Sequence, residues 1–124
     1  MSKFKSQGLK NTFKNAGKGI RIVLKSENNI RVHFFVALFV IVFGLILDLS
    51  VAKLCILLLA IGLVVVAEML NSAIEFALDA MFHNKYSRLV GMAKDISAGA
   101  VMFATFISVA IGLIMFGSAI TRFF

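Results

Sequence analysis

Leu54-Cys55-Ile56-Leu57-Leu58-Leu59-Ala60-Ile61-Gly62-Leu63-Val64-Val65-Val66-Ala67 runs without a break into Glu68-Met69-Leu70-Asn71-Ser72-Ala73-Ile74-Glu75-Phe76-Ala77-Leu78-Asp79. The first part reads as a membrane span, and nothing in the second part ends the helix. At about 100° per residue, Asn71, Glu75 and Asp79 fall at roughly −60°, −20° and +20° from Glu68. Four polar groups therefore form one stripe on an otherwise apolar helix. Insertion scales put a carboxylate at the bilayer centre at a cost of about 2.5–3.5 kcal/mol. A stripe that expensive needs a use, and function is expected there.

Composition supports a membrane reading. The chain has 124 residues, 60% of them hydrophobic, a mean hydropathy of +0.99, and neither Pro nor Trp. A soluble domain this small could not hide so much apolar surface. A single all-α integral membrane domain over 1–124 is expected, and the absence of Pro suits unbroken helices. The formal charge of +7 is uneven. Lys3, Lys5, Lys10, Lys14, Lys18, Arg21, Lys25 and Arg31 precede the first span, and Lys85, Arg88 and Lys94 lie between the second span and the first turn of the third. By the positive-inside rule, the N-terminus and the second loop face the cytoplasm. Attraction to anionic lipid explains the basic balance more simply than nucleic acid, which is not expected as a partner. Cys55 is the one cysteine, so an intrachain disulfide is excluded, and a packing or lipid-facing role is expected. The apolar residues near the N-terminus are interspersed with Lys, unlike a cleavable signal peptide.

Over residues 3–25, Phe4, Leu9, Phe13, Ile20 and Leu24 alternate with Lys, and the last four fall within about 60° of one another at 100° per residue. The pattern predicts an amphipathic surface helix within 1–30. Three membrane helices follow at 32–49, 53–82 and 93–116, with a short external turn at Asp48-Leu49-Ser50 and a polar loop from His83 to Met92. A helix over 53–82 would measure about 45 Å, more than the ~30 Å hydrocarbon core, so its cytoplasmic end must project. Gly44, Gly62, Gly99 and Gly112 are expected at close approaches between helices. His33 and His83 fall at the interface without metal-ligand spacing, where snorkelling or plain exposure is expected rather than ligation.

This topology gathers the polar residues at one side. Glu27 and Arg31 sit where the surface helix meets the first span, Glu75 and Asp79 end the second, and Lys94 and Asp95 open the third. Carboxylates from two helices suit Mg²⁺, which prefers oxygen ligands and commonly bridges substrate phosphates. A nearby Lys can neutralise phosphate charge. Glu68, deeper in the span, suits a general base for a hydroxyl held at the interface. Against these stand plain readings: solvated helix ends for Glu75 and Asp79, a helix start for Lys94 and Asp95, a helix–helix hydrogen bond for Asn71. There is no Gly-x-x-x-x-Gly-Lys-Ser/Thr loop and no Gly-x-Gly-x-x-Gly.

Ala67-Glu68-Met69-Leu70-Asn71-Ser72-Ala73-Ile74-Glu75 and Ala93-Lys94-Asp95-Ile96-Ser97-Ala98-Gly99-Ala100-Val101 resemble the prokaryotic diacylglycerol kinase family. The pattern Glu-x-x-Asn-[Ser/Thr]-Ala-Ile-Glu, followed after a short loop by Ala-Lys-Asp, is highly specific. Ser72 in place of Thr is a mild departure. The resemblance covers nearly the whole chain. It implies a homotrimeric membrane kinase that transfers the ATP γ-phosphate to a lipid alcohol, with active sites built between subunits. By position it makes Glu68 the general base, and Glu27 and Glu75 the ligands of a divalent metal, Mg²⁺. It puts Asn71, Lys94 and Asp95 on the nucleotide and phosphates, adds Lys18 from the surface helix, and leaves Asp79 as a site-adjacent acid. It places the protein in the bacterial cell membrane with the site on the cytoplasmic side. The family divides into diacylglycerol and undecaprenol kinases. Arg31-Val32-His33, Ser97-Ala98-Gly99-Ala100-Val101, and Phe13-Lys14 with Gly19-Ile20 resemble the undecaprenol branch more closely.

Two other classes compete. Small multidrug-type exporters also use a membrane-embedded Glu for proton coupling, but they have four spans with that Glu in the first. A purely structural membrane subunit would leave the polar stripe without a purpose.

Overall fold

The computed structural model describes residues 8–122; Phe4, Lys3 and Lys5 lie outside them. It is all-helical: α1 (Leu9–Ser26), α2 (Asn28–Ile46), α3 (Val51–Phe82) and α4 (Arg88–Thr121). The last three are long and apolar enough to cross a membrane. α1 is mostly exposed, and Val23 is its buried anchor beside the break to α2. That break falls at Glu27, whose extended backbone (φ −112°, ψ 105°) ends α1 and starts α2. Ile30, buried just after it, belongs to α2.

α2 begins at Asn28 and ends at Ile46, earlier at both ends than the apolar run implies. Leu47 to Leu49 turn away because Asp48 takes the left-handed conformation (φ 56°), which Asp tolerates better than most residues. The Leu49 N–H then donates to the Gly44 carbonyl at 3.1 Å, while the Leu49 side chain is buried against Leu57 and Ala119. The hydrogen bond is that of a Schellman-type helix end, and the apolar contact ties this end to α3 and α4. Gly44 makes this approach close: an added Cβ would lie 3.1 Å from Leu54 Cδ2 and 3.3 Å from Leu49 Cδ1, so both Leu side chains would have to shift by a few tenths of an ångström. Ser50 caps α3 by accepting from the Lys53 N–H at 3.3 Å.

α3 and α4, 32 and 34 residues long, measure about 48 and 51 Å. They form the most extensive helix pair. α2, with 19 residues, is about 28 Å long, so α3 and α4 outreach it at the end remote from the α2–α3 turn. They join there through a short turn in which His83 and Asn84 are both left-handed (φ 52° and 63°). Ser87 caps α4 by accepting from the Val90 N–H at 3.2 Å, which starts the helix five residues before Ala93. Gly91 therefore lies inside α4, with Tyr86 folded over it.

Of the glycines expected at close approaches, only Gly44 has close neighbours from another helix. Gly62, Gly99 and Gly112 meet open space within 4 Å of an added Cβ. Gly112 lines an open groove with Val40, Leu57 and Ala60. Cys55 is exposed as a free thiol on the outer surface of α3.

Candidate functional site

The polar stripe of α3 meets two different neighbours. Glu68 faces α2, where His33 Nε2 lies 2.9 Å from Glu68 Oε1. The Glu68 side chain is 13% exposed, and His33 is 30% exposed. With an ionised carboxylate, which only accepts, Nε2 is the donor of this pair. One turn further on, the stripe faces α4. Ser97 Oγ, buried, donates to Asn71 Oδ1 at 2.6 Å, and Asn71 Nδ2 donates to Glu75 Oε1 at 3.3 Å. The Lys94 carbonyl is a second acceptor for the Ser97 hydroxyl at 3.0 Å, but one hydrogen serves one acceptor well, and Asn71 is nearer. Near the helix ends, Lys94 Nζ donates to Asp79 Oδ1 at 2.7 Å. Both of those side chains are more than a third exposed, so this pair adds little stability.

The structure thus joins Asn71 and Glu75 to each other, and Lys94 to Asp79. Glu27 is half-buried at the α1–α2 break, and its carboxylate has no hydrogen bond or ion pair among the described residues. Asp95 on α4 and Lys18 on α1 are exposed and equally without polar partners there. No three His, Cys, Asp or Glu side chains gather around one point among the described residues. Mg²⁺ does not need such a cage: it is commonly held by one or two carboxylates plus waters and substrate phosphates. The carboxylates of Glu27 and Glu75 fit that donor chemistry.

Two polar contacts were not expected from the sequence. His33 is bound to Glu68 instead of lying exposed at the interface, and Ser97 is the α4 partner of Asn71. An open, mainly apolar groove of about 490 Å³ lies between α3 and α4, with Asn71 and Ser97 as its polar members among Ala67, Leu70, Ile74 and Ile96.

Fold and site together define a small helical membrane protein with a cluster of acids, amides and hydroxyls at one end of its spans. The profile of the prokaryotic diacylglycerol kinase family matches residues 14–116. The chain is 37% identical over 105 residues to the undecaprenol kinase of Bacillus subtilis, an alignment that covers 85% of each. It is 33% identical over 101 residues to a diacylglycerol kinase of Synechocystis, covering 82% of this chain and 58% of that one. It is also 33% identical over 92 residues to the diacylglycerol kinase of Escherichia coli, covering 74% and 75%. The chain belongs to the prokaryotic diacylglycerol kinase family. It is a membrane lipid kinase and takes its phosphate from ATP.

Proposed function

We propose that the protein transfers the γ-phosphate of ATP to the hydroxyl of undecaprenol, giving undecaprenyl phosphate and ADP. The observation that carries the lipid choice is the 37% identity to an undecaprenol kinase along 85% of both chains. Arg31-Val32-His33 and Ser97-Ala98-Gly99-Ala100-Val101 lean the same way. Diacylglycerol, giving phosphatidic acid, is the second reading, favoured by the 33% matches to diacylglycerol kinases.

In this reading Glu68 is the general base. Its carboxylate sits about 26 Å along α3 from Val51, close to the edge of a ~30 Å hydrocarbon core, where a lipid hydroxyl lies. It takes the hydroxyl proton as the oxygen attacks the γ-phosphorus in line and ADP leaves. Lys94 and Asn71 orient and neutralise the phosphates, with Asp95 and Lys18 at the nucleotide. Glu27 and Glu75 hold Mg²⁺, which supplies positive charge against the phosphate oxygens when bound. Catalysis is then mostly positioning and electrostatics.

A homotrimer with sites shared between subunits fits the large apolar area that one chain leaves uncovered on α2, α3 and α4. The basic N-terminal segment supports a cytoplasmic N-terminus and site, with the protein in the bacterial cell membrane.

The test is direct. The full chain in mixed micelles receives Mg-ATP labelled at the γ-phosphate, with undecaprenol and diacylglycerol in separate tubes and Glu68→Gln as the blank. Faster labelling of undecaprenol is the expected result. Faster labelling of diacylglycerol moves the assignment to the second reading, and no label in either lipid refutes both.

A further inference from the structure

An imidazole within an apolar helix must find a polar partner, and His33 has one choice. It lines a small cavity of about 100 Å³ between α2, α3 and α4, whose other walls include Val36, Ala37, Ile61 and Val64. The only other polar side chain there is Thr105, whose hydroxyl donates to the Val101 carbonyl at 2.8 Å. Glu68, reached at 2.9 Å, is the single hydrogen-bond partner of His33 among the described residues.

A carboxylate acting as base in a hydroxyl-to-phosphate transfer must aim one oxygen at the O–H while its rotamer is held. A Glu with three free torsions on a lipid-facing helix does not hold that aim by itself. From this pair we infer that His33 is the positioning residue of the base. Its Nε2–H fixes Oε1 of Glu68 and leaves Oε2 to take the proton of the lipid alcohol. The proton passes from the lipid oxygen to Oε2, the new bond forms between lipid oxygen and phosphorus, and ADP departs. His33 changes no bond; it holds the acceptor still. The inference rests on the reading of Glu68 as base and extends it to a residue on another helix.

Five variants of the full chain, Glu68→Gln among them, test it in mixed micelles, each checked for fold and assembly by circular dichroism and gel filtration. Gln places an amide N–H close to where Nε2 stands, whereas Asn places one nearer to Nδ1 and falls short of Glu68. His33→Gln is expected within about threefold of wild-type kcat. His33→Ala and His33→Asn are expected to lose roughly 10- to 100-fold in kcat, with both KM values within about twofold, as for loss of alignment at the reacting centre. Adding His33→Ala to Glu68→Gln is expected to cost nothing more, because His33 acts only through Glu68. Should His33→Ala fail to fold, His33→Asn against His33→Gln decides the matter.

Wild-type kcat in His33→Asn, with Glu68→Gln inactive, overturns the positioning role and leaves the base standing. So does a failure of Gln to restore activity, or a further loss in the double variant. Near-wild-type activity in Glu68→Gln removes the base itself, and the positioning role falls with it.

Discussion

Where α2 turns into α3, the helices meet through Leu49, Leu57 and Ala119, walled by Val40, Leu54, Ile111 and Met115, with the Phe43 and Phe116 rings 5.4 Å apart. Towards the other end, the same helices meet through His33–Glu68, Asn71–Ser97 and Asp79–Lys94. In lipid there is no hydrophobic drive to bring helices together, so the first end holds by close packing. Interhelical hydrogen bonds in membranes are worth on average only about 0.6 kcal/mol. The polar end is thus a weak way to build a bundle, and its carboxylates raise the cost of insertion. One end is packed to hold the fold, and the proposed chemistry accounts for the composition of the other.

Substitutions that separate activity from stability test this division. Glu68→Gln keeps the shape of the side chain and removes the base. It is expected to lower kcat by about a thousandfold, within the range for a lost general base, while the midpoint of detergent-induced unfolding stays near wild type. A large fall in stability with little change in kcat would reverse the roles of the two ends. Lys94→Met comes next. Loss of one positive group aimed at developing phosphate charge is expected to cost about a hundredfold in kcat. Its ion pair with Asp79 is exposed, so the unfolding midpoint is expected to hold. Equal activity at saturating lipid and ATP would remove Lys94 from the phosphate site.

Much of this arrangement was legible in advance, and the misses have physical causes. Long apolar runs and the motif around Glu68 and Lys94 gave the all-helical membrane class and the family. Periodicity placed Glu68, Asn71, Glu75 and Asp79 on one side of α3, but an arc of about 80° is wide enough to touch two neighbours. Which group meets α2 and which meets α4 depends on helix rotation, and a single helix does not encode it. His33 was readable from depth: it lies 13 residues before the end of α2 and Glu68 lies 17 after the start of α3, about 20 and 26 Å from the shared turn. The same count pairs Asn71 with Ser97 across the other turn. Glycines were read as contacts from composition alone; within the described chain that holds for Gly44, while an added Cβ at Gly62, Gly99 or Gly112 meets nothing within 4 Å.

Leu57→Ala tests the apolar end. Leu57 is 2% exposed, and its removal leaves a void beside Leu49 and Ala119. The expected loss is about 2 kcal/mol, the low end of the soluble-core range, because the unfolded chain keeps Leu in lipid and only packing is forfeited. Per folded molecule, kcat is expected to stay within about twofold of wild type. A loss of activity as large as that of Lys94→Met would mean that the apolar end also sets the geometry of the polar one.

Ser97→Ala has the smallest expected effect and tests the division most finely. It removes the 2.6 Å bond from α4 to Asn71 and leaves Asn71 bound to Glu75. If the bond served mainly to join helices, the unfolding free energy should fall by about 0.6 kcal/mol, the average for such bonds, with kinetics unchanged. If it serves to hold Asn71 for the nucleotide, KM for ATP should rise while stability barely moves. The bond belongs to the polar end, so the second pattern is the expected one. The first would extend the holding role of the α2–α3 end as far as Ser97, leaving Glu68, Glu75 and the residues beyond them for the chemistry.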